Sequence, residues 1–162
     1  MGRWRPPVKP GAPYITRAGY ETLEAEQKAM WAKRREVVKH LSAAAAEGDR
    51  SENAEYIYRK KQLREMDRRI GYLERRMPKL QIVDEQPDKE KVFFGAFVDL
   101  IDEHGDEFHY RIVGSDEIDN ADEHISVDAP VALALLGKQI DDEVTIQLAA
   151  GAVTYVIAAI RY

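Results

Sequence analysis

A spacing constrains this chain more than any other feature. Leu63, Met66, Ile70, Leu73, Met77 and Leu80 follow one another at steps of 3, 4, 3, 4 and 3 residues. That rhythm is the a/d seam of a coiled coil, in which apolar side chains return to one narrow line every 3.5 residues. Extended backwards, the line passes through Arg59 to Tyr56, so the apolar stripe fades toward residue 52. Upstream, Tyr20, Leu23, Gln27, Met30, Arg34, Val37, Leu41 and Ala44 repeat the spacing, interrupted by Gln27 and Arg34. Thr16 is suited to cap the first segment, and no proline occurs between Pro13 and Pro78. Two long helices are expected, over about 17–47 and 52–80, joined by Glu47-Gly48-Asp49-Arg50-Ser51. So short a link leaves antiparallel neighbours, a coiled-coil hairpin with a loop at its tip. At a rise of ~1.5 Å per residue the first helix reaches roughly 46 Å. A finger of that kind buries little; its length serves reach.

The flanking segments read differently. Residues 1–13 hold four of the seven prolines and predict a flexible tail. Residues 81–91 are polar, contain Pro87 and predict a hinge. Beyond them the periodicity shifts to that of strands: runs at 92–101 and 108–114 flank a turn at 102–107, and His124–Val127 is a short strand. Pro130 opens a short helix that stops at Gly137, and runs at 143–148 and 152–160 form a last hairpin. The expected organisation is a tail at 1–13, the hairpin at 14–84 and a small antiparallel-sheet domain with one short helix at 85–162. The fold class is α+β.

Charge divides the chain along the same line. Residues 1–84 carry 19 Lys and Arg against 12 Asp and Glu, net +7, whereas residues 85–162 carry 5 against 17, net −12. Opposite halves suggest two units with different partners, with nucleic acid a candidate for one of them. There is no cysteine, which excludes disulfides, thiolate zinc sites and cysteine nucleophiles. No apolar run approaches the ~18 residues of a membrane span, and no apolar signal core follows the N-terminus, so a cytoplasmic protein with no membrane partner is expected. His40, His104, His109 and His124 show no metal-ligand spacing. No glycine-rich phosphate loop or Ser/His/Asp constellation is present.

Several motifs together resemble a known family. The stretch from Gly48 to Ile70, the opening Ile15–Leu23, and the segments 91–98, 111–118 and 125–138 resemble bacterial Gre transcript cleavage factors, most closely the GreB branch. The resemblance covers about residues 14–162 and implies an FKBP-like second domain. It also implies the partner: bacterial RNA polymerase, whose secondary channel the hairpin enters while the second domain docks at the rim. Such a factor is not itself an enzyme. It acts as a monomer and stimulates the polymerase's own cleavage of backtracked RNA at the nascent 3′ end.

By the same resemblance, Asp49 and Glu52 are the paired tip acids that help hold the second catalytic Mg²⁺ of the polymerase. Two hard carboxylate oxygens suit that ion, and the cleavage needs two metals. From the residues alone, Asp49-Arg50-Ser51-Glu52 reads first as a capping box, with Asp49 at N-cap and Glu52 at N3, and it is the resemblance that reverses the order. Gly48, Arg50, Ser51 and Asn53 complete the tip. Arg59, Lys60, Lys61, Arg64, Arg68 and Arg69 are candidate RNA contacts; Lys60, Lys61, Arg64 and Arg68 fall on one flank, where they attract phosphate without reading sequence. A solvated helix face is the alternative. Tyr56 and Tyr58 are candidates for stacking on bases, although Tyr56 lies on the seam. Gln62 departs from the basic residue usual in GreB relatives. Asp128 and Pro130 match a polymerase-docking loop, in which Ala129 replaces the common serine at the cost of a hydrogen bond; Pro130 as a helix start, with Asp128 capping the turn before it, is the other reading. Two further functions fit less well: a channel-binding inhibitor of the same fold, and a polymerase-independent coiled-coil RNA-binding module.

Overall fold

The computed structural model describes residues 9–46, 53–86 and 88–162. The chain divides into two units, residues 20–80 and a second made of residues 1–19 with 81–162. The first unit is the helical hairpin. Helix α1 spans Arg17–Ala46 and α2 spans Ala54–Arg76. Leu23, Val37 and Ala44 of α1 and Met66, Ile70, Leu73 and Met77 of the second segment are buried, and every other seam position from Tyr20 to Leu80 is at least half-buried. The polar interruptions are answered within the unit. Arg34 Nε lies 2.6 Å from Asp67 Oδ1, and that hydrogen bond and charge hold its guanidinium above its ordinary pKa. The cross-links Ala44 to Asn53, Arg34 to Asp67 and Glu26 to Arg69 step in opposite directions along the two helices, so the hairpin is antiparallel.

The second segment is shorter than its pattern. Its α-helix ends at Arg76, and Met77–Lys79 continue as a 3-10 turn with Pro78 in it. Proline has no N–H for the α ladder and crowds the preceding turn, so the seam runs on while the helix tightens.

The other unit begins earlier in the chain than the 85–162 boundary and reclaims residues 14–19. Strand β1 (Tyr14–Ile15) pairs in parallel with β2 (Gln81–Ile82), and the Gln81 N–H donates to Pro13 O at 2.7 Å. The 1–13 tail and the 81–91 hinge are therefore tied at their inner ends. The main sheet has the order β5-β4-β3-β7-β6, from β3 (Phe97–Asp102), β4 (Glu107–Val113), β5 (His124–Ser126), β6 (Glu143–Leu148) and β7 (Gly151–Arg161). Its pairings are antiparallel except that of β4 with β5, which the crossover through the 3-10 turn Ile118–Asn120 makes parallel. The first strand run loses residues 92–96: Ala96 N–H bonds to Phe93 O across a tight turn, and Gly95 supplies its positive φ of 87°. Alternate residues Val98, Leu100, Val144, Ile146, Tyr155 and Ile157 point inward with Ala132 and Leu135 of the short helix α3 (Pro130–Leu135), and form one core.

Candidate functional site

The tip residues Gly48, Asp49, Arg50, Ser51 and Glu52 lie outside the described residues. What the structure does place is the start of α2 beside them. Its N-cap is Asn53, whose side-chain oxygen accepts the Tyr56 N–H at 3.0 Å, while its amide donates to Ala44 O at 3.0 Å. The capping-box reading of Asp49 and Glu52 is thereby corrected for this helix. Those positions belong to Asn53 and Tyr56, and both acids precede the first helical residue, Ala54. One residue thus caps α2 and ties it to the last turn of α1.

The six candidate RNA contacts separate into two groups. Lys60, Lys61, Arg64 and Arg68 are exposed on one flank of α2, opposite the buried seam, and form no ion pair among the described residues. Arg69 and Arg59 are engaged. Arg69 grips Glu26 with two hydrogen bonds, 2.6 and 3.0 Å long, that join the helices. Arg59 donates to Gln62 Oε1 at 3.2 Å and packs over the Tyr58 ring at 5.5 Å from its centroid. Arg69 is thus a structural cation that joins the two helices, whereas Arg59, on the seam, finds its partners within α2 itself. Tyr56 is half-buried as its seam position implies, whereas Tyr58 is 60% exposed.

At the other candidate surface, Pro130 is the first residue of α3 and Ala129 its N-cap. Ala129 makes no side-chain cap bond, as expected where alanine stands in for serine. Asp128, in the turn before α3, accepts the Ala12 N–H through its Oδ2 at 2.8 Å. Leu133, which the sequence reading passed over, stands 59% exposed on α3. Its signal lay in the 3.6-residue period: Ala132 and Leu135 face the core, which turns Leu133 outward.

Family models match both parts of the chain. Residues 13–82 match "Transcription elongation factor, N-terminal" and residues 86–162 match "Transcription elongation factor, GreA/GreB, C-term". A relative from Xanthomonas axonopodis pv. citri, transcription elongation factor GreB, is 52% identical over 100% of this chain and 98% of its own. The chain belongs to the GreA/GreB family of transcription elongation factors. A second family member, the GreB of Pasteurella multocida, is 54% identical over 92% of this chain and 96% of its own. The solved structure of GreA factor homolog 1 from Thermus thermophilus aligns with 92% of this Gre-family chain and 98% of its own, at 24% identity and a TM-score of 0.42.

No group of three or more His, Cys, Asp or Glu that could hold a metal occurs among the described residues of this Gre-family member. Asp49 and Glu52 supply two hard oxygen donor groups, which suit an ion that takes the rest of its ligands elsewhere. No described helix is long and apolar enough to cross a membrane.

Proposed function

We propose that this transcription elongation factor enters the secondary channel of RNA polymerase and stimulates the polymerase's own cleavage of backtracked RNA, without being an enzyme alone. The observation that carries the reading is family membership across the whole chain with both tip acids present, next to a helix already capped by Asn53. Asn53 meets the α2 capping demand, so Asp49 and Glu52 are not needed for it and can serve an ion. In this reading the pair holds one Mg²⁺ shared with the polymerase. That ion, when bound, supplies water activation or charge stabilisation at the leaving oxygen.

The remaining roles follow from exposure. Lys60, Lys61, Arg64 and Arg68 attract the phosphates of the RNA 3′ segment, while Arg69 holds together the helices that present them. Pro130 and Leu133 offer an apolar contact to the rim of the channel, and the −12 charge of residues 85–162 suits a basic docking surface.

The test uses purified, stalled bacterial elongation complexes. The wild-type chain should release short 3′ RNA fragments. Asp49→Ala and Glu52→Ala should each slow release by about tenfold or more while still binding polymerase, because a metal-assisted step loses an ion ligand. Undiminished cleavage by both variants would remove the metal-holding role, and inhibition by the wild type would favour a channel-blocking factor.

A further inference from the structure

We propose that the hairpin carries a seat for one unstacked RNA base, in a groove of about 380 Å³ between α1 and α2 with Tyr58 as its wall. The inference rests on the RNA contact proposed above and deepens it from phosphate attraction to base capture. The groove lies at the small end of the range for ligand pockets, about 300–1,000 Å³. Its floor is Met66, buried, and Met30, half-buried, two polarisable thioethers that pack well against aromatic rings.

Tyr58 decides the occupant. A ring 60% exposed contributes little to hairpin packing, and the Arg59 guanidinium covers only one of its faces. So exposed a ring offers area for stacking, which tolerates any base because every base has a π face. Lys33 and Lys61 stand exposed at the rim, and neither forms an ion pair among the described residues. Glu65 also lines the groove and repels a phosphate from it, so the phosphate is held at the lysines with the base inward. The Gln62 carbonyl is occupied by Arg59, which leaves its amide N–H groups to donate to a base edge. Lys60, Arg64 and Arg68 continue the positive flank along the same helix, so the rest of a single strand has somewhere to run.

The experiment places 4-thiouridine at successive positions of the extruded RNA in backtracked elongation complexes, adds the full chain, and maps the photocrosslinks. The expected result is a crosslink from one position to the Tyr58–Met66 segment, its yield reduced about tenfold in Tyr58→Ala and retained in Tyr58→Phe. The melting temperatures of both variants should match the wild type, which excludes a folding effect. Crosslinks confined to other parts of the chain, or a yield indifferent to Tyr58→Ala, would overturn the seat and leave the RNA contact standing. Cleavage with no crosslink to the chain at any position would overturn both.

Discussion

Glu117 is 1% exposed, yet its carboxylate is fully engaged. It accepts the Thr16 N–H at 2.8 Å, the Gly114 N–H at 3.0 Å and the Thr16 hydroxyl, whose oxygen in turn accepts the Gly19 N–H at 3.0 Å as the cap of α1. Hydrogen bonds to a buried charge are among the stronger ones, at about 1.5–3 kcal/mol each. Glu117→Gln keeps the shape but removes the charge from all three bonds, and its NH₂ group meets the Thr16 hydroxyl when its oxygen serves the two backbone donors. It should therefore cost about 3 kcal/mol, measured as a shift of the urea midpoint at constant m-value. Nothing local marks this residue. It sits in Ser115-Asp116-Glu117-Ile118-Asp119-Asn120, a composition that reads as a surface turn, and its partner Thr16 is 101 residues away. Gly19 was illegible for the same reason. A glycine in a first helical turn looks like a weakness, but a Cβ there would stand 2.2 Å from the Glu117 carboxylate oxygen, so the close approach requires its absence.

At the scale of elements, periodicity transferred to the structure almost residue for residue, because the seam is a local pattern that packing only has to respect. Element ends did not transfer. The second helix was expected from 52 to 80 and the α-helix runs from Ala54 to Arg76, since one end is set by the Asn53 cap and the other by Pro78. The basic stripe was legible as a stripe, but the division into exposed cations and structural ones was not. Arg69 depends on Glu26 of the other helix, and the spacing within α2 carries no record of it. Asn53 is where local and non-local demands meet, which makes it the informative substitution. Asn53→Ala removes the cap bond to Tyr56 N–H and the bridge to Ala44 O together. The expected cost is about 1–2 kcal/mol, the upper part of the N-cap range. Amide hydrogen exchange should show it as faster exchange at Tyr56 and the first turn of α2, with the Leu73 amide in the middle of the seam unchanged.

The molecule as a whole is two units built from three stretches of chain, since the sheet unit uses residues on both sides of the hairpin. A linear reading places the boundary at a change of composition, near residue 85, and misses that β2 has its partner β1 before the hairpin begins. Cutting at that boundary tests the difference. A fragment of residues 85–162 retains the five-stranded sheet and its core, but it leaves Glu117 buried without Thr16 and Asp128 without the Ala12 N–H. Left with the Gly114 N–H, the carboxylate forfeits two of its three hydrogen bonds, on the order of 3 kcal/mol. For a sheet of this size about 1 kcal/mol moves the melting temperature by roughly 4–8 °C. The fragment should therefore melt roughly 12–24 °C below the sheet transition of the intact chain, by circular dichroism. A synthetic peptide of residues 9–19 added in trans should recover part of that loss, because it restores Thr16 and the Ala12 donor. A fragment that melts with the intact sheet, or a peptide without effect, would mean that residues 9–19 do not belong to the folding unit that their hydrogen bonds assign them to.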